Sequence, residues 1–80
     1  PAPDDTERRI DAMVLCEAIN TFLATLSDEK RNIFMRRYWY MDSIAAVSKR
    51  YGLSQSKVKS ILFRSRNQLR EYLDKEGYDL

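Results

Sequence analysis

The sequence predicts an all-α fold, a compact four-helix domain ending in a helix-turn-helix whose second helix is long. Three observations carry this. The 80 residues hold 44% hydrophobic content with two glycines and two prolines, which suits one small helical domain with a modest core. Apolar residues recur at three- and four-residue spacing, with no strand-like alternation and no internal repeat. Between Ser43 and Leu73 that spacing breaks once, at Tyr51-Gly52-Leu53, as two helices joined by a tight corner require.

Pro1 to Asp5 reads as a linker remnant, and a start without methionine leads us to expect a fragment or processed product. Asp4, Asp5 or Thr6 is expected to cap the first helix, where acidic groups suit the positive end of its dipole. Leu15, Ala18, Ile19, Phe22, Leu23 and Leu26 share one broad apolar face. Ile10, Met13 and Val14 lie well round the helix from it, leaving an apolar strip for end-of-helix packing or for a partner.

Ser27, followed by Asp28 and Glu29, starts a second helix that should end near Tyr40. Ile33, Phe34, Tyr38 and Met41 are expected on its core side, with Arg31, Arg36 and Arg37 facing water or acidic partners. Trp39 and Tyr40 are read as core or rim packing rather than as base-stacking groups, because no alternating basic and aromatic platform accompanies them. Met41-Asp42 links to the third helix, which Asp42 or Ser43 can cap.

Ile44 and Val47 lie three apart on that short helix. Gly52 suits a left-handed backbone at its end, and Ser54 can cap the next helix. Val58, Leu62, Ser65, Leu69, Tyr72 and Leu73 then mark a long core-facing stripe. Ser48, four before the glycine, lets the two helices approach, and Val47, Tyr51, Leu53, Val58 and Ile61 fall where their contact must be apolar. An ordinary helical hairpin in a small bundle would share this period. Gly77 after Lys75-Glu76 is a stop for the last helix, followed by a flexible end. The expected organisation is therefore residues 1–5 as linker, 6–73 as the domain and 74–80 as a tail.

Charge separates the two readings of the motif. From Ser43 to Arg70 there are seven basic residues and no Asp or Glu, so a net +2 conceals a +7 segment with −2 before it and −3 after. A solvated face without a partner mixes both signs, whereas this asymmetry is an electrostatic footprint for phosphate. Enzymatic chemistry is not expected: there is no His, no metal-ligand set, no glycine-rich phosphate loop and no nucleophile paired with a base. No cofactor is expected either. Cys16, the single cysteine, reads as a small apolar residue on a helix. With no run of 18 apolar residues and no secretory start, a cytoplasmic protein is expected.

NIFMRRYWYMDSIAAVSKRYGLSQSKVKSILFRSRNQLREYL resembles the C-terminal DNA-binding domain, region 4, of bacterial sigma-70-type RNA polymerase sigma factors, especially the extracytoplasmic-function-like group. The LSDEKRNIF opening of the second helix, its RRYW ending, the turn GLS and the LREYL close fall in that family's order, from about Asp5 to Leu73. Many members carry a glutamate where this chain has Ala46, Gly-Leu where it has Met41-Asp42, and a basic residue where it has Ile61. These departures leave the fold intact and bear on which promoter sequence is preferred.

The resemblance implies that the second motif helix enters the major groove of the promoter minus-35 element. The helical period agrees, since opposite the core side it presents Ser56, Lys59, Ser60, Phe63, Arg64 and Asn67. For base reading this selects Gln55, Ser56, Lys59, Ser60 and Phe63. Lys59 could donate to guanine O6 and N7, Gln55 could pair with adenine, and the hydroxyls suit base or phosphate. The Phe63 ring is costly to leave in water, and either a thymine methyl or a neighbouring helix would shelter it. Lys49, Arg50, Lys57, Arg64 and Arg66 are candidates for phosphate contacts, joined by Ser43 at a capped helix start.

The resemblance also implies a second partner, the flap-tip helix of the RNA polymerase beta subunit, held in an apolar groove of the first helices. Ile10, Met13, Val14 and Phe34 are the candidates for it. An anti-sigma protein would compete for the same surface. A monomer without membrane contact is expected. The rival readings are a stand-alone helix-turn-helix regulator or response-regulator effector domain, which needs a dimer surface, and a pure protein-interaction bundle.

Overall fold

Serine caps and left-handed turns divide the chain into its elements. The structure, a computed structural model, describes residues 3–78, with side chains from Ala12 onward. Its helices are α1 (Pro3–Leu23), α2 (Asp28–Tyr38), α3 (Ile44–Tyr51) and α4 (Gln55–Lys75). The all-α, four-helix expectation holds. Pro3 opens α1, a position where a missing amide hydrogen costs no helical bond. Asp4, Asp5 and Thr6 therefore lie within the helix rather than at its cap.

Ser27, Ser43 and Ser54 each accept a hydrogen bond from the backbone amide three residues on, at 3.4, 3.0 and 3.0 Å. Each satisfies one otherwise unpaired donor of its helix. At the corner between α3 and α4, Gly52 adopts φ 66° and Leu53 N–H donates to the Ser48 carbonyl at 3.0 Å, the closure that a left-handed residue permits. The Ser48 hydroxyl donates to the Leu53 carbonyl, so this small residue also ties the corner. Gly77, at φ 86°, ends α4 in the same manner, with Tyr78 N–H donating to the Leu73 carbonyl.

The core has two parts. Ile33, Val47, Val58, Ile61 and Leu62 are buried together, with Ile44, Tyr51 and Leu53 packed against them. This joins α2 to both motif helices. Phe22, Leu23 and Phe34 form the second cluster, with Ile19, Leu26, Met35, Leu69 and Tyr72 around it. It seats α1 against α2 and α4, and the Phe22 and Tyr72 rings lie tilted at 5.7 Å. Ser65, at 2% exposure, is the buried polar residue of the described core.

The end of α2 departs from expectation. The helix stops at Tyr38, and Trp39, Tyr40 and Met41 are 72%, 59% and 75% exposed. Met41 is not a core residue, Tyr38 is 40% exposed, and Trp39 and Tyr40 are not packed away. The reason is local. Asp42 N–H donates to the Arg36 carbonyl at 2.9 Å, Arg36 Nε pairs with the Asp42 carboxylate at 2.9 Å, and Arg37 donates to the Asp42 carbonyl at 3.0 Å. These bonds pull the chain out of helical register and force Met41 to φ 60°. The Arg36 guanidinium also sits 4.6 Å from the centre of the Tyr40 ring, a cation–π contact.

A non-glycine residue in the left-handed region costs about 1 kcal/mol. Met41→Gly is therefore expected to stabilise the domain by about 1 kcal/mol, raising the thermal midpoint by about 5 °C in a calorimetric scan. A lowered midpoint would mean that the methionine side chain makes a stabilising contact here.

Candidate nucleic-acid interface

The start of α4 is held by the two residues that precede it. Leu53 anchors it in the core and Ser54 caps it. Gln55, Ser56, Lys59, Ser60 and Phe63 then project from the open side, all exposed. The structure brings the five expected base-reading residues onto one uncovered surface.

Phe63 is 58% exposed, so no neighbouring helix shelters its ring. With Lys59, Ser60 and Arg64 it lines a shallow depression of about 460 Å³. A ring ringed by cations and a hydroxyl has room for an apolar group presented between phosphates.

The expected phosphate contacts divide among four places. Lys49 and Arg50, in the last turn of α3, border an open hollow of about 470 Å³ with Ala46, Arg36 and Asp42. Ser43 lies at the other end of α3, its oxygen accepting from Ala46 while its hydroxyl proton stays available. Lys57 and Arg64 lie on the flank of α4 toward the start of α2, bordering a cleft with Glu29, Lys30, Ser65 and Gln68. Arg66 stands apart from all of these. It donates to the Tyr38 hydroxyl of α2.

Two of the sequence departures separate cleanly. Ala46 is exposed beside the cationic hollow, while Ile61 is 7% exposed and belongs to the core. Ile61 is thus a packing residue and not a surface group.

Away from the open side of α4, helices α1, α2 and α4 enclose an apolar groove of about 490 Å³. Cys16 and Ile19 line one wall, Phe34, Tyr38 and Trp39 another, and Leu69 closes it. The candidates for the second partner fare unequally against it. Met13 and Val14 are exposed, at 67% and 42%, but do not line it. Phe34 is not an exposed group, at 8%, because it packs on Phe22 and Leu23 and shows only an edge. Ile10 lies outside the residues whose side chains are described.

Trp39, Tyr38 and Leu69 were missed as groove residues. The signal was an apolar aromatic set at the end of α2 larger than its short helix could bury. Among the described residues, no cluster of ligating side chains could hold a metal ion, and no helix is long and apolar enough to cross a membrane.

Comparison with known families places these elements in one frame. A family model described as Sigma-70, region 4 matches residues 22–71, from the end of α1 through α2, α3 and most of α4. No curated protein matches the chain.

Proposed function

Since the chain belongs to the sigma-70 region 4 family, DNA-binding domains of the sigma factors of RNA polymerase, we propose that it recognises the promoter minus-35 element through α4. The observation that carries this is the uncovered, capped start of α4, with Gln55, Ser56, Lys59, Ser60 and Phe63 on one side. A helix presented in this way fits the major groove, where each base pair shows a distinct pattern of donors and acceptors.

Lys59 donates to guanine, Gln55 pairs with adenine, the serine hydroxyls take base or phosphate, and Phe63 covers a thymine methyl. Lys49, Arg50, Lys57 and Arg64 hold the backbone on either side, with Ser43 adding a neutral contact. The apolar groove of α1, α2 and α4 receives the flap-tip helix of the polymerase beta subunit. An anti-sigma protein would act by filling it. DNA and polymerase then meet different faces of one monomer.

Fluorescence anisotropy on a labelled minus-35 duplex tests the DNA half. Four phosphate-neutralising cations predict a log–log salt slope of about −3.6, or about a hundredfold loss of affinity between 50 and 200 mM salt. Binding that ignores salt would point to a protein-interaction bundle. Sedimentation tests the rest: a tight dimer bridging two half-sites would favour a stand-alone regulator over a polymerase-borne reader.

A further inference from the structure

We propose that Arg66 serves the apolar groove rather than DNA, as a fixed cation that selects an acidic residue on the helix filling the groove. Tyr38 is its positioning residue. This rests on the reading above that the groove receives a helix of the polymerase beta flap.

The starting point is the bond itself. Arg66 and Tyr38 are 28 residues apart in sequence, and the guanidinium donates to the phenol oxygen. The Tyr38 ring packs against Phe34 at 4.8 Å, and Phe34 is buried with Phe22 and Leu23. Arg66 is therefore anchored, through two rings, to the α2 wall of the groove. It stands about 10 Å along the helix axis beyond Lys59 and one turn before Leu69, which lines the groove.

Its charge is oriented but not neutralised. Arg31 pairs with Asp28 and Arg36 with Asp42, whereas Arg66 has no carboxylate partner among the described residues. A phenol accepts one N–H and cancels no charge, which leaves the remaining donors of the planar fork for a bidentate acceptor. Arg70 follows one turn later on the same side of α4. The lining of the groove itself carries no charged group, and Arg66, held on the Tyr38 hydroxyl, sets a cation at its α4 margin. The complementary occupant is an amphipathic helix with apolar residues toward Phe34, Trp39 and Leu69 and a carboxylate toward Arg66.

The test uses the whole 80-residue chain against two probes, a beta-flap fragment and a minus-35 duplex. Arg66→Ala is expected to weaken the fragment about fivefold and leave the duplex within about twofold. Tyr38→Phe keeps the ring but frees the guanidinium, so it should give a smaller loss on the fragment and none on the duplex.

A double-mutant cycle identifies the acidic partner: one Asp or Glu of the fragment, changed to its amide, should weaken wild type and have no further effect in Arg66→Ala. Weakened duplex with unchanged fragment would overturn the assignment and return Arg66 to the phosphate set. Fragment affinity that falls in Arg66→Ala without coupling to any carboxylate would overturn the acidic specificity. If the wild-type domain binds duplex but no fragment, the flap reading fails and this assignment fails with it.

Discussion

Lys59→Ala is expected to weaken binding to the preferred minus-35 duplex by about ten- to a hundredfold and to leave a scrambled duplex within about twofold. Lys59 is exposed on the open side of α4, in its second turn, where a recognition helix lies deepest. A well-placed side chain on a guanine edge is worth about 1–3 kcal/mol of discrimination, whereas a phosphate contact weakens all sequences alike. Competition between the two duplexes separates these outcomes. Equal losses on both would make Lys59 a phosphate contact and shift base reading toward Gln55, Ser56 and Ser60.

Ile33→Ala should have the largest effect on the fold, a loss of about 3 kcal/mol with a fall of about 15 °C in thermal midpoint. Ile33 is fully buried and is the contribution of α2 to the cluster that holds Val47 of α3 and Val58, Ile61 and Leu62 of α4. Truncation leaves a cavity where three helices meet. A domain of this size has only about 4–12 kcal/mol in total, so DNA binding should fail at temperatures the wild type tolerates. Ile33→Val, which removes one methylene, should cost about 1 kcal/mol. Urea titrations of the two variants check the difference, and an alanine loss below about 1 kcal/mol would mean that the surrounding side chains collapse into the space.

The motif was legible because what defines it is local. Ser43, Gly52 and Ser54 act on backbone groups within a few residues, and the apolar period of α4 needs only a face to bury. The same logic exposed Phe63, since its position opposite the core stripe follows from the helix alone. Tyr38 to Met41 escaped it. Projecting the α2 period forward buries Tyr38 and Met41, but the helix ends when Asp42 engages Arg36 and Arg37, and periodicity contains no term for that bond. Phe34 falls on the core side of α2 as the period of that helix implies, but that α1 supplies its cover lies outside what the period can show. The Arg66–Tyr38 contact, across 28 residues, depends on how α2 crosses α4. Spacing within one helix cannot supply that angle.

The basic run of α4 is followed by exposed Glu71 and Asp74 on the same helix and by exposed Glu76 at its C-cap. A molecule with its cations at the groove-seeking end and its carboxylates at the far end experiences a torque in the field of a duplex. It turns before it touches. Encounters with the wrong end forward are repelled, so a larger share of diffusive collisions begins in a productive orientation. Neutralising the three carboxylates should therefore slow specific capture relative to total collisions, even though none of them contacts a base.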